Sequence, residues 1–438
     1  MIRCVKRLAC LFFLLITTAS LHAQVRVMTL AEALRLADAN SPQLLEAKLL
    51  SRIPDLEKDE IQTGAKPQLG YKGNVMYAPL TTWFGYDPAL TNEGQIGAQV
   101  TLDQSLYDGG ARDIKLRANA LEHERAIIST LRTQKDVALA VTQAFSVLYR
   151  SELEVALDTG SLTELRGYGD LVEKLHAGAG TGTTDLLKVR IQVAQEEATL
   201  RSAEDDRAIA SETLAELTGL GPTTEIRALV LDDSLIDQAR RLLRTERDSL
   251  GIVSIGKSPD IRLAELDLKT AETEVALSEA ERKPTVSLNA DAGLLNSFQN
   301  LQLPASERSP FWGASVGVTI TGPLLDWGAN KLQTEQKQLQ HDALNYELQL
   351  KERGERADRA RAMYTLQHSL ERLDSLQETL QLAQNVYLLT RARYAGAQAA
   401  AFDVIDAHRQ SLDLKRARFQ LLNDIAQAIA TLERLRGE

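Results

Sequence analysis

The sequence predicts a mainly α fold with a β-barrel part, in which long coiled-coil helices accompany four short strands suited to a membrane. Three observations predict it. The chain is a tandem duplication. Each copy holds a stretch of about 67 residues with no proline, carrying apolar residues seven apart. Each copy also holds two segments in which apolar and polar residues alternate.

The first segment in order is 1–23. Arg3, Lys6 and Arg7 precede an apolar run from Leu11 to Ala19, and a small residue follows at Ala23. This reads as a secretory signal, with the mature chain expected to begin near Gln24. Cys10 follows Leu8 and Ala9 as in a lipid-attachment site but precedes the apolar run, so no lipid anchor is expected. Cys4 and Cys10 are the only cysteines, which leaves the mature chain no thiol for catalysis, zinc or a disulfide. Without Arg3, Lys6 and Arg7 the charge balance is 47 basic against 60 acidic residues, net -13, which argues against nucleic acid as a partner. No later stretch of eighteen apolar residues offers a transmembrane helix, so insertion in a membrane would need a barrel.

Sliding the chain against itself exposes the duplication. Ser41-Pro42 recurs as Ser258-Pro259 and Lys66-Pro67 as Lys283-Pro284, at an offset of 217. From there the offset is 218: Val100-Thr101 matches Val318-Thr319, Asp108 matches Asp326, Gly110-Ala111 matches Gly328-Ala329, Gly178 matches Gly396, and Asp185 matches Asp403. The boundaries read as a first repeat over 24–218, an intervening segment over 219–257 and a second repeat over 258–438.

Each repeat opens with a helix of about 25 residues, capped by Ser41 or Ser258 with Pro at its first position. In the first repeat a shorter helix precedes it, with Thr29 and Glu32 spaced as a capping box. Two strands follow. Leu69, Tyr71, Val75 and Tyr77 alternate with Gln68, Gly70, Lys72 and Asn74, and Ile96, Ala98, Val100 and Leu102 with Gly97, Gln99, Thr101 and Asp103. The second repeat does the same around Val286–Ala292 and Ala314–Ile320. Strands of about ten residues with this period suit a tilted membrane crossing, although a soluble hairpin with one buried face alternates in the same way.

The long helices favour the membrane reading. From Gly110 to His176 and from Gly328 to Tyr394 a helix of about 100 Å is predicted at about 1.5 Å per residue, which globular domains rarely hold. Val141, Leu148, Val155 and Leu162, and likewise Leu366, Leu373, Leu380, Tyr387 and Tyr394, mark coiled-coil seams. A glycine-rich break leads to a return helix of about 35 residues from Asp185 or Asp403. The shorter helices, placed end to end, nearly match the long one. Four strands per chain cannot close a barrel, since single-chain barrels begin at about eight, so copies of the chain must share one.

Leu106-Tyr107-Asp108-Gly109-Gly110, its copy Leu324-Leu325-Asp326-Trp327-Gly328, and Arg393-Tyr394-Ala395-Gly396 leading to Phe402-Asp403-Val404-Ile405-Asp406 resemble the signature segments of the TolC-type outer-membrane efflux family. The resemblance covers the whole mature chain. It implies a homotrimer with a shared twelve-stranded barrel in outer-membrane lipid, a tapering helical cylinder in the periplasm, and an export duct with no chemistry of its own. An inner-membrane pump and a periplasmic adaptor would be its partners, with no catalytic residue, cofactor or metal. The alternative is a soluble periplasmic coiled-coil adaptor or scaffold.

The candidate functional residues follow. Tyr394, Asp403 and Asp406, with Asp185 and Lys188 of the first repeat, are implied by the resemblance to lie at the channel aperture, where symmetry would make carboxylate rings. Acids in a first helical turn also suit the helix dipole, and that reading stays open. The first copy has Lys188 where the second has Asp406, and Gln398-Ala399-Ala400-Ala401 lacks the basic residue that family members place there. Asp108 and Asp326 are read as helix caps, with Gly110 and Gly328 supplying backbone freedom in the strand-to-helix turn. Trp83, Tyr107, Trp312 and Trp327 are candidate membrane-interface aromatics. Gly251 to Ser258 matches the P-loop pattern, but charged helical sequence precedes it instead of a strand, so nucleotide binding is not expected. His123, His176, His341, His368 and His408 lack metal-ligand spacing and are expected on the surface or in the lumen.

Overall fold

The computed structural model describes residues 25–77, 94–177, 183–221, 224–229, 232–248, 258–297, 312–396 and 398–436, and residues 302, 304 and 306 besides. The signal segment, Trp83, the break at 178–182 and most of the P-loop-like motif lie outside these residues. In order, the elements are β1 (Arg26–Met28), α1 (Leu30–Asn40), α2 (Pro42–Leu50), α3 (Ile53–Thr63), β2 (Gln68–Tyr77), β3 (Gly94–Tyr107), α4 (Ala111–Ala177), α5 (Thr183–Leu217) and β4 (Ile226–Ala228), followed by α6 (Asp232–Asp248), α7 (Pro259–Ala280), β5 (Thr285–Ser297), β6 (Trp312–Thr321), α8 (Ala329–Ala395) and α9 (Ala401–Leu435). The duplication is carried into the backbone: α4 and α8 both hold 67 residues, and α5 and α9 both hold 35.

The opening helix of the first repeat departs from expectation. It is broken into α2 and α3, whereas α7 of the second repeat is continuous over 22 residues. Pro54 causes the break, because its ring lacks an N–H and crowds the carbonyl four residues earlier, so a new helix starts with Pro in its first turn. The capping box is half formed. Thr29 accepts a hydrogen bond from the Glu32 amide at 3.3 Å, but the Glu32 carboxylate turns to the Arg26 guanidinium instead.

The chain packs as two units, with residues 1–46, 131–259 and 352–438 in one and residues 47–130 and 260–351 in the other. The second contains an antiparallel sheet of order β2-β3-β5-β6, with β3 and β5 joining the two repeats at its centre. The register puts Leu69, Tyr71, Val75, Ile96, Val100, Val316, Val318 and Ile320 on one face, all exposed. The opposite face is polar, and there Asn289 donates to Asp103 at 2.6 Å and accepts from Thr319 at 2.8 Å. An irregularity between Ser105 and Tyr107 pairs Tyr107 with Val286 and so brings it onto the apolar face.

Helices of the same unit are linked in the order α3, α4, α7, α8. Asn119 donates to the Pro54 carbonyl at 2.9 Å, Arg125 to Asp267 at 2.9 Å, and Ser278 to Thr334 at 3.1 Å. The first and last members leave apolar stripes exposed: Leu49, Ile53 and Leu56 on α2 and α3, and Leu332, Leu339 and Tyr346, seven apart, on α8.

The turns from strand to long helix are built alike. Asp108 accepts from the Gly110 amide at 3.1 Å and the Arg112 amide at 2.7 Å, and Asp326 from the Gly328 amide at 3.0 Å and the Asn330 amide at 3.2 Å. Those two amides hold the Asp326 carboxyl below its ordinary pKa. Gly109, Gly110 and Gly328 have φ of 72°, 89° and 89°, and Trp327, the counterpart of Gly109, adopts 53° despite its side chain.

Gly109 is the most constrained of these, because a Cβ there would lie 2.8 Å from the Ala280 carbonyl oxygen, whereas one at Gly110 would meet open space. Gly109→Ala should cost more than about 2 kcal/mol and Gly110→Ala about 1 kcal/mol. Thermal unfolding of the two variants side by side checks this, and equal midpoints would show that the close approach does not matter.

Candidate functional site at the hairpin turns

The other unit is built from α1, α6, the return helices and the adjoining parts of α4 and α8. Its members are linked in the order α5, α4, α9, α8. Glu197 and Glu173 pair with Arg166 at 2.7 Å and Arg190 at 3.2 Å between α5 and α4. Along the α4–α9 seam Ser146 donates to Asn423 at 3.0 Å, Arg416 pairs with the buried Asp158 at 2.8 Å, Ser161 meets the His408 ring at 2.9 Å, and Tyr168 donates to the Ala401 carbonyl at 3.4 Å. One core forms where β1, α1 and β4 cover α4 and α5 around Phe145, Leu148 and Leu214. A second forms where α6 covers α8 and α9 around Leu366, Leu373 and Ile425.

The third core lies where the two hairpins turn. The end of α4 supplies Tyr168 and Val172, the start of α5 supplies Val189, the end of α8 supplies Tyr387 and Tyr394, and the start of α9 supplies Ala401, Val404 and Ala407. Tyr168 and Tyr394 meet edge to face with ring centres 5.2 Å apart. Burial, and next the neighbouring Tyr394, push the Tyr168 phenol far above its ordinary pKa, so it stays a neutral donor.

Of the residues named from sequence, Tyr394 is inside this core, and the charged ones are on its rim. Asp403 accepts from the Ala400 amide at 2.9 Å and thus caps α9. Asp406 is exposed and accepts from Gln410 at 2.8 Å. Lys188 is exposed, with its Nζ 5.9 Å from the centre of the Phe402 ring, which links the starts of α5 and α9. Asp185 is half-buried and close enough to Tyr168 to raise its pKa further.

In the sheet unit, Tyr107 is level with Ile320 through Val286, and Trp312 is eight residues further along β6. At about 3.4 Å per residue this spans about 27 Å, close to the apolar band of about 25 Å on membrane barrels. Both are exposed, as is Trp327 in the turn beyond β6.

Tyr168 and His408 are the residues that sequence reasoning missed. Leu162, Leu165, Tyr168 and Val172 continue the first seam in steps of three and four, a signal present in the chain. His408 was expected on the surface or in the lumen but is 4% exposed. Its Nδ1 is 3.7 Å from Glu164 and its ring 4.8 Å from Tyr387. Among the described residues no group of three or more His, Cys, Asp or Glu could hold a metal.

Burial lowers the His408 pKa, with Lys415, Arg391 and Arg416 adding to the effect and Glu164 opposing it. A depressed histidine pKa means that the unfolded chain binds the proton more readily. Its contribution to stability is full above about pH 6.5 and is lost as pH falls through the folded value. Melting curves at about pH 7.5 and about pH 5 should therefore fall further for the native chain than for His408→Asn. Identical acid sensitivity would mean that the imidazole does not titrate against folding.

Comparison with known proteins matches the geometry. Residues 254–438 match the family model described as outer membrane efflux protein. Among solved structures, the outer membrane protein VceC from Vibrio cholerae is 17% identical with a TM-score of 0.74, covering 93% of this chain and 96% of that one. The outer-membrane channel OprN is 18% identical with a TM-score of 0.75, covering 93% and 89%. The CmeC outer membrane channel of Campylobacter jejuni is 15% identical with a TM-score of 0.73, covering 93% and 85%. No curated protein matches by sequence. The second part of the chain thus matches the outer membrane efflux protein model, and the chain as a whole shares the fold of these channels.

Proposed function

We propose that the chain is the outer-membrane channel component of a multi-part efflux or secretion system, a passive duct formed by a homotrimer with a twelve-stranded barrel. A periplasmic adaptor and an inner-membrane pump would supply opening and energy. The observation that carries this reading is the pair of open rows in the sheet unit. Strands run β2-β3-β5-β6 and helices α3, α4, α7, α8, so each row ends on one side with the first repeat and on the other with the second. Four antiparallel strands leave β2 and β6 running in opposite directions, so β6 of one copy can pair antiparallel with β2 of the next. The exposed stripes on α2–α3 and on α8 would meet at the same junction. Such a head-to-tail contact gives a ring when the rotation between copies closes and an open filament when it does not.

Lipid makes closure obligatory. An edge strand of ten residues presents about five N–H and five C=O groups, each costing several kcal/mol if unpaired in hydrocarbon. The exposed apolar face argues against the soluble adaptor reading, since water would leave it uncovered.

The closed end of the duct is assigned to the aromatic core at the hairpin turns, with Asp185, Lys188, Asp403 and Asp406 around it. The three chains' Asp406 carboxylates would ring the opening, whereas Asp403 is already engaged as a cap. Asp406→Asn should therefore raise leak conductance in planar bilayers severalfold, and an unchanged conductance would remove Asp406 from the aperture. The assembly itself is tested by the protein-only mass in detergent. Three chains are expected for the native protein, with dissociation to single chains for Leu339→Glu; a native monomer would return the strands to an ordinary sheet.

A further inference from the structure

We infer that Asp103, Asp291 and Lys72 form a charged belt inside the barrel that sets its preference for cationic over anionic solutes. This rests on the channel reading above. The four strands contain three charged residues in all, Lys72 in β2, Asp103 in β3 and Asp291 in β5. Strand pairing puts all three on the polar face and on three consecutive levels. Asp103 is level with Asn289, Asp291 with Thr101, and Lys72 with Gln99 and, through it, Gly293. Adjacent levels are about 7 Å apart, so the belt is confined to the middle of the strands.

Two features make the belt effective. The same levels carry Gly70, Gly293, Gly313 and Gly317, which keep the wall low around the carboxylates. Gly293 is also needed for backbone reasons, since a Cβ there would run into the Ala98 carbonyl group of the neighbouring strand. The carboxylates are fixed by neutral donors: Asn289 reaches Asp103 at 2.6 Å and Ser315 reaches Asp291 at 3.3 Å. A neutral donor positions a carboxylate without cancelling its charge. Two acids against one base per chain leave a net negative ring in any symmetric closure. A Debye length of about 10 Å at 0.1 M salt lets that ring act on solutes passing through the lumen.

The absence of any cysteine beyond Cys10 permits a local test. Thr101→Cys puts a thiol level with Asp291, and its reaction rates with a cationic trimethylammonium and an anionic sulfonate methanethiosulfonate are compared in proteoliposomes at low salt. Their ratio cancels the ionisation of the thiol and reports the local potential. Relative to a free thiol the cationic reagent should be favoured on the order of tenfold. Asp103→Asn with Asp291→Asn should abolish the preference, and Lys72→Glu should increase it. Should the double variant fail to assemble, Lys72→Glu decides alone. A reactive thiol whose ratio ignores these charges overturns the belt and leaves the channel intact. An unreactive Thr101→Cys beside a water-accessible Val316→Cys overturns both, because the apolar face would then be the wet one.

Discussion

Backbone hydrogen bonding at the two edges of the sheet is the constraint on which the rest of the structure depends. The strands β2 and β6 each end the sheet, and the face they share with β3 and β5 is apolar and exposed. In water such a sheet would aggregate through its edges, and in lipid it would leave polar backbone without partners. Both penalties vanish when the edges meet those of further copies and the apolar face meets hydrocarbon. The helices of the same unit obey the same logic, since the row they form ends in apolar stripes at the same two ends. On the proposed channel reading, open ends in two layers at once would specify the assembly more firmly than either layer alone.

Much of this was legible in the chain because the signals were periodic and present twice. Alternation at period two located the strands, spacing of seven located the seams, and the 218-residue offset predicted equal lengths for α4 and α8. Where the sequence misled, a local steric effect was responsible. Ile53-Pro54 has no counterpart in α7, so alignment of the repeats suggested one helix, whereas the proline ring forces two. The position of His408 was illegible for a different reason. A histidine two residues beyond Asp406 on a charged helix gives no sign of burial, and only the neighbouring helices, which bring Ser161, Glu164 and Tyr387, make it an interior residue.

The seam between α4 and α9 separates two kinds of packing. The cores around Leu148 and around Leu366 are aliphatic and tolerate repacking. The seam is polar, with Asp158 paired to Arg416 and His408 to Ser161, and removing Arg416 would leave the buried Asp158 carboxylate without its counter-charge. Such contacts add little net stability but hold one register, because a slip of one helical turn would strand every partner at once. Helices from different repeats are thereby kept in step, while the apolar cores hold helices of the same repeat together.

The differences between the repeats are as informative as their likeness. Duplication gave both copies the same turn after a strand, yet glycine is kept at Gly109, where the Ala280 carbonyl approaches, and Trp327 takes the corresponding place with φ of 53°. A left-handed tryptophan carries backbone strain of about 1–2 kcal/mol that glycine would avoid. Trp327 is 88% exposed, so packing within the chain does little to offset that strain. On the proposed channel reading, partition of the indole into a membrane interface would offset it. The same reasoning applies to Lys188 and Asp406, which occupy matched positions with opposite charge. A fully symmetric pair of hairpins would present the same charge at that place twice, whereas these present a lysine on one return helix and an aspartate on the other.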